Sequence, residues 1–160
     1  MAHITIEHLI MIPLLVLEIF LFPLTTGWLM NVWVDSRRTL ALQEVASHLG
    51  STIQQIYFSL NHESISAGVL TKKSDVPPLV ENYPYNGTAT LGTLLDPTSN
   101  SSKVLAITLL LRTAGTTVTS SVILGQNVLW KESTFRSNSP NAGINAEKLA
   151  NGTICLSFGG

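Results

Sequence analysis

From His3 to Val34 the chain reads HITIEHLIMIPLLVLEIFLFPLTTGWLMNVWV, an apolar run with two acids, Glu7 and Glu18, and no Lys or Arg before Arg37. A helix crosses the hydrocarbon of a bilayer with about 20 apolar residues, so this run is long enough to span a membrane. It does not read as a removable secretory signal, because it lacks a basic start, its apolar part is too long and no Ala-x-Ala follows. Glu18 stands in the middle of the run, where a carboxylate costs about 2.5 to 3.5 kcal/mol on insertion scales. A compensating partner is expected.

Helical geometry adds a second constraint. Residues eleven apart on a helix differ by about 20° in angle, so Glu7 and Glu18 share a face. Pro13 and Pro23 each remove an amide donor and free the carbonyl four residues earlier, those of Leu9 and Ile19, which predicts kinks or short melted stretches. In hydrocarbon such carbonyls need partners. A lone anchor facing lipid gains nothing from two prolines and two aligned carboxylates, whereas a helix packed among copies of itself uses both. Glu7, Glu18, Pro13 and Pro23 are the candidate assembly residues.

The remaining chain is of a different kind. Overall only 12 % of the 160 residues are charged and the net charge is −1, against a globular average near 25 % charged. No basic surplus marks a nucleic-acid surface, and nucleic acid is not an expected partner. Beyond Arg38, Leu42, Val45, Ala46, Leu49, Ile53, Ile56, Tyr57 and Leu60 recur at three and four residues, an amphipathic stripe. Together the two patterns predict a helix from about residue 4 to about residue 62, roughly 90 Å long. Gly50 interrupts the stripe and offers room for another backbone.

After Glu63 the chemistry favours strands. Pro77, Pro78 and Pro84 forbid helix, and Asn86-Gly87, Asp96-Pro97, Gly115 and Gly125 read as turns. The best strands are Lys103 to Arg112, Thr116 to Leu124, Asn127 to Ser133 and Gly152 to Phe158, with weaker ones at Ser64 to Thr71 and Ala89 to Leu95. The expected fold class is therefore α+β: a long N-terminal helix over residues 3–62, then a small antiparallel sandwich-like domain over residues 63–160 that packs on the stripe.

His3, His8, His48 and His62 have no ligand partner at i+4. Cys155, in Ile154-Cys155-Leu156, reads as a buried small hydrophobe without a nearby base or a following His or Met. There is no phosphate loop and no GxSxG. No catalytic residue, metal, cofactor or enzyme activity is expected. Three N-glycosylation sequons begin at Asn86, Asn100 and Asn151, two of them in expected Asn-Gly turns. The Ser/Thr tract from Thr113 to Ser121 reads as an exposed strand in preference to a glycan-bearing surface.

Ile4-Thr5-Ile6-Glu7-His8-Leu9-Ile10 followed by Pro13-Leu14-Leu15 resembles the N-terminus of type IV filament subunits, above all archaeal pilins and archaellins with class III signal peptides; it is also similar to Tad-type pseudopilins. In that family a membrane peptidase cuts after a small residue and a Glu is fifth in the mature chain. The resemblance implies a cut between Ala2 and His3, leaving residues 1–2 as a leader remnant and Glu7 in the fifth place. It further implies a homopolymer, membrane-inserted before assembly and extracellular afterwards, built by a prepilin peptidase and assembly machinery. Glu7 would accept a charge-assisted hydrogen bond from the new α-amino group of His3 in a neighbouring subunit. The alternative expectation is a monomeric membrane-anchored surface binding protein or adhesin.

Overall fold

The structure, a computed structural model, describes residues 2–93 and 102–159, with residues 2–10 given as helix backbone. A single helix, α1 (Ala2–Leu60), is followed by eight strands. The chain forms two compact units, residues 1–37 and residues 38–160. The first contains helix alone. The second shares one core between the amphipathic part of α1 and every strand but the first, which is exposed throughout.

α1 stays helical through Pro13 and Pro23, so the melted stretches expected there do not occur. Near Pro23 the Thr25 hydroxyl donates to the Leu21 and Phe22 carbonyls, each at 3.0 Å, and the Thr26 hydroxyl to the Phe22 carbonyl at 2.7 Å. These bonds give extra donors to the turn that the proline weakens, and they fold both hydroxyls back on the helix.

In the second unit the predicted stripe forms the helical side of the core: every one of its eight residues, Leu42 to Leu60, is at most 7 % exposed. At Gly50 the close neighbour is a side chain, not the backbone that the sequence suggested. A Cβ there would stand 2.7 Å from Val122 Cγ1 and 3.7 Å from Ile107 Cδ1. Gln54 Nε2 donates to the Ile123 carbonyl at 3.3 Å. Farther along, the Tyr57 hydroxyl donates to Asn127 Oδ1 at 2.9 Å, and Asn127 Nδ2 donates to Asn61 Oδ1 and to the Gly152 carbonyl. One amide thus ties the end of the helix to two loops of the sandwich.

The strands are β1 (Gly68–Lys73), β2 (Tyr85–Thr93), β3 (Lys103–Leu111), β4 (Thr116–Leu124), β5 (Val128–Trp130), β6 (Thr134–Arg136), β7 (Gly143–Lys148) and β8 (Ile154–Gly159). They make two four-stranded sheets in the orders β1-β7-β8-β5 and β4-β3-β2-β6. All pairs are antiparallel except β5 with β8. That parallel pair departs from the expected antiparallel sheet: between β5 and β8 the chain adds β6 to the other sheet and β7 to this one, and returns to β5 running in the same sense. The inner faces meet at Phe135 and Phe158, and Tyr85 and Trp130 extend the aromatic cluster within each sheet. Tyr85 stacks on Phe135 at 6.2 Å, Phe135 meets Phe158 edge-on at 5.5 Å, and Trp130 meets Phe158 at 4.9 Å. Such pairs contribute about 0.5 to 1.5 kcal/mol beyond their area.

Three local readings change. Asn86-Gly87 is not a turn but the middle of a sheet: Asn86 lies opposite Leu110 on one side and Arg136 on the other. Gly87 is needed there because a Cβ would come within 2.7 Å of Leu109 Cδ2 and 3.2 Å of Phe135 Cβ. Cys155 is half-buried on the outer face, since its neighbours Ile154 and Leu156 take the core positions. Two strands, β6 and β7, appear beyond those expected. The Ser/Thr tract does form a strand, β4, and Thr134, Thr88, Thr108 and Thr119 stand in register across the outer face of its sheet.

Candidate assembly surface

From residue 11 to residue 33 the large apolar side chains of α1 lie open. Leu14, Phe20, Phe22, Leu24 and Trp28 are 66 to 70 % exposed, whereas Leu42, Ala46 and Ile53 on the same helix are at 0 %. The contrast follows from the sequence. The second half segregates its apolar residues on one face that a sheet can cover, and the first half is apolar around its circumference, which one neighbour cannot cover. This segment is long and apolar enough to cross a membrane.

Glu18 sits within this surface, flanked along the helix by Leu14, Leu17, Leu21, Phe22 and Thr25. It makes no ion pair or hydrogen bond with a described residue. The Thr25 and Thr26 hydroxyls are turned onto their own backbone, so neither is directed to that carboxylate. Neither threonine donates to the Ile19 carbonyl, which Pro23 deprives of its amide.

The far end of the surface carries a signature that the sequence reading missed. Trp28 and Trp33 are both more than half exposed, and the Arg37 guanidinium lies over the Trp33 ring at 4.9 Å from its centroid. Tryptophan at the end of an apolar span, followed by an arginine whose guanidinium covers the ring, is a pattern suited to a membrane–water interface. Two tryptophans five residues apart where the apolar run stops were the available signal.

The remaining predicted site residues are dispersed. Pro13 and Pro23 lie inside α1. Ala2, His3 and Glu7 belong to its helical backbone, and their side chains fall outside the described residues, as does Asn100. Asn86 is half-buried within β2. Asn151 is exposed in the tight turn before β8, its Oδ1 accepting from the Thr153 amide at 3.0 Å, beside Gly152 at φ 80°. Among the described residues no group of three His, Cys, Asp or Glu is placed to hold a metal ion. Comparison with protein families, with curated proteins and with solved structures gives no match.

Proposed function

We propose that the chain is a structural subunit of an extracellular, archaeal type IV pilus-like filament that polymerises through its apolar N-terminal helix. The observation that carries this reading is the uncovered apolar surface between residues 11 and 33 on a helix whose later apolar stripe, Leu42 to Leu60, is buried. Full burial of a large apolar side chain contributes about 1.5 to 3 kcal/mol, so a bundle of such helices coheres without covalent links. Lipid covers the surface before assembly and neighbouring subunits cover it afterwards. A head-to-tail contact whose rotation does not close gives an open helical polymer.

In this reading a prepilin peptidase cuts between Ala2 and His3, and Glu7 receives the freed amino group of a neighbour. Glu18 supplies a second polar contact inside the bundle, and Pro13 and Pro23 leave carbonyls for neighbouring donors. Asn86, Asn100 and Asn151 are candidate glycan acceptors on the outer domain. The Trp28, Trp33 and Arg37 belt also supports a second reading, a monomeric membrane-anchored surface protein or adhesin, because an anchor uses such a belt equally.

Electron microscopy of material sheared from expressing cells, with N-terminal sequencing of the chain, separates the two. Filaments whose subunit begins at His3 are expected. Detergent-soluble monomers that retain Met1 would overturn the filament reading and leave the anchor.

A further inference from the structure

Around one end of the sandwich, within residues 38–160, three cavities adjoin. The first, about 450 Å3, lies on the outer face of the β1-β7-β8-β5 sheet. Its floor is bare because Gly143 and Gly159 stand opposite each other in register. A Cβ on Gly159 would press to 3.3 Å from the Asn145 side-chain nitrogen. The second, about 390 Å3, shares Lys73, Pro140 and Ala142 with the first. The third, about 600 Å3, joins the second at Asn138 and takes in Arg112 and Arg136.

The linings are chemically one-sided. Lys73, Arg112 and Arg136 contribute three positive charges, and no Asp or Glu lines any of the cavities; Asp75, next in sequence to Ser74, is not among the lining residues. None of the three bases pairs with an acid among the described residues. Between them lie side-chain amides and hydroxyls, notably Asn145, Asn138 and Ser74. Ser74 Oγ is buried and has no hydrogen-bond partner. The molecule carries a net charge of −1, so the clustering of unpaired bases here does not reflect a generally basic surface.

We propose that this groove binds an acidic polysaccharide. Separated cations meet regularly spaced carboxylates or sulfates, and the intervening amides and hydroxyls meet sugar hydroxyls. Single-stranded nucleic acid fits less well, because its binding needs exposed aromatic platforms and the one aromatic lining residue, Phe135, is fully buried in the core. The proposal depends on the outer domain alone and holds for either reading of the helix.

The test uses the full chain in detergent micelles, with binding measured by biolayer interferometry against polygalacturonate, heparin, neutral dextran, poly-glutamate and oligo-dT. Binding to polygalacturonate or heparin, weakening as salt rises, with none to dextran, is expected; binding to polygalacturonate shows that carboxylates suffice, and binding to heparin alone that sulfates are required. The triple variant Lys73→Gln, Arg112→Gln, Arg136→Gln should lose about tenfold or more in affinity, while Lys131→Gln, an exposed base outside the groove, should not. Equal binding of dextran, tighter binding of poly-glutamate or oligo-dT, or an unchanged triple variant that remains folded by circular dichroism would overturn the proposal.

Discussion

The Arg38 Nε donates to Glu81 Oε2 at 3.0 Å, and Glu81 holds its side chain there from a left-handed backbone conformation, φ 47°. It is the first of two such residues, with Asn82 at φ 68°, in a turn closed by reciprocal hydrogen bonds between Val80 and Tyr83. The Arg38 guanidinium also lies 6.0 Å from the Tyr83 ring centroid. A two-residue turn with both central residues at positive φ suits Asn-Gly far better than Glu-Asn, so the ion pair is bought with local strain.

The two effects at Glu81 can be separated by a pair of variants. Glu81→Ala keeps the left-handed conformation and loses the pair, whereas Glu81→Gly loses the pair and relieves the strain. Left-handed backbone costs a non-glycine residue about 1 to 2 kcal/mol, and a partly exposed ion pair contributes about 0 to 1 kcal/mol. The glycine variant is therefore expected to be more stable than the alanine variant by about 1 kcal/mol in denaturant unfolding. Equal midpoints would show that the turn carries no strain.

Gly50 makes the opposite case, where space rather than backbone conformation excludes a side chain. Alanine is favoured over glycine inside a helix by about 1 kcal/mol, yet its Cβ would meet the stiff Val122 side chain at 2.7 Å. The clash is expected to dominate, so Gly50→Ala should destabilise the outer domain by about 1 to 2 kcal/mol. Val122→Ala in the same chain should recover part of that loss. Additive effects in the double-mutant cycle would remove the proposed contact.

Alkaline pH should weaken the fold through two tyrosines. Burial raises the Tyr85 phenol well above its usual pKa near 10, and its hydroxyl donates to the Pro77 carbonyl at 2.7 Å. Tyr57 is also raised by burial, with hydrogen bonding from the Gly125 backbone offsetting part of the effect. A group raised on folding contributes its full stability below its unfolded pKa and loses it as pH climbs toward the folded value. Stability is therefore expected to fall from about pH 10 upward, by up to about 1.4 kcal/mol per pH unit through Tyr85, with a smaller contribution from Tyr57. Tyr85→Phe should be less stable at pH 7, through the lost hydrogen bond, but should decline less steeply between pH 10 and 12. Parallel curves for the two proteins would exclude Tyr85 as a cause.

The two described sequons should not be equivalent. Asn151 is exposed in a tight turn, while Asn86 is flanked by β3 and β6 and half-buried. In a glycosylating host, intact-mass measurement of Asn151→Gln and Asn86→Gln is expected to show the larger loss of glycan for Asn151→Gln. The reverse order would mean that the sheet around Asn86 opens before modification.

How much of this was legible depends on whether the signal was local. The stripe from Leu42 to Leu60 and the strand from Thr116 to Leu124 were readable because period and propensity agree within each segment. β7, Gly-Ile-Asn-Ala-Glu-Lys, was not, because its residues are poor strand formers held by β1 and β8 on either side. Asn86-Gly87 misled for the converse reason: it has turn chemistry, but Gly87 serves the close approach of Leu109 and Phe135. Lys73, Arg112 and Arg136 are too far apart in sequence to form any pattern, and topology alone brings them to one groove.

Glu18 has Leu14, Leu17, Leu21 and Phe22 as neighbours, and none of them offers it a partner. In a simple anchor the carboxylate is a cost of about 2.5 to 3.5 kcal/mol, so Glu18→Leu should leave membrane retention intact or improve it, with no other consequence. In a filament the carboxylate replaces lost hydration with donors from adjacent subunits. Hydrogen bonds to charged groups contribute about 1.5 to 3 kcal/mol, so removing one should lower the subunit association constant by about ten- to a hundredfold. Glu7→Ala should likewise impair assembly while the outer domain stays folded. The expected outcome is full membrane insertion of both variants, a native-like circular dichroism spectrum, and few or no filaments in sheared fractions. Wild-type filament yield from Glu18→Leu would remove it from the assembly surface, and the same yield from Glu7→Ala would remove the bond to the His3 amino group.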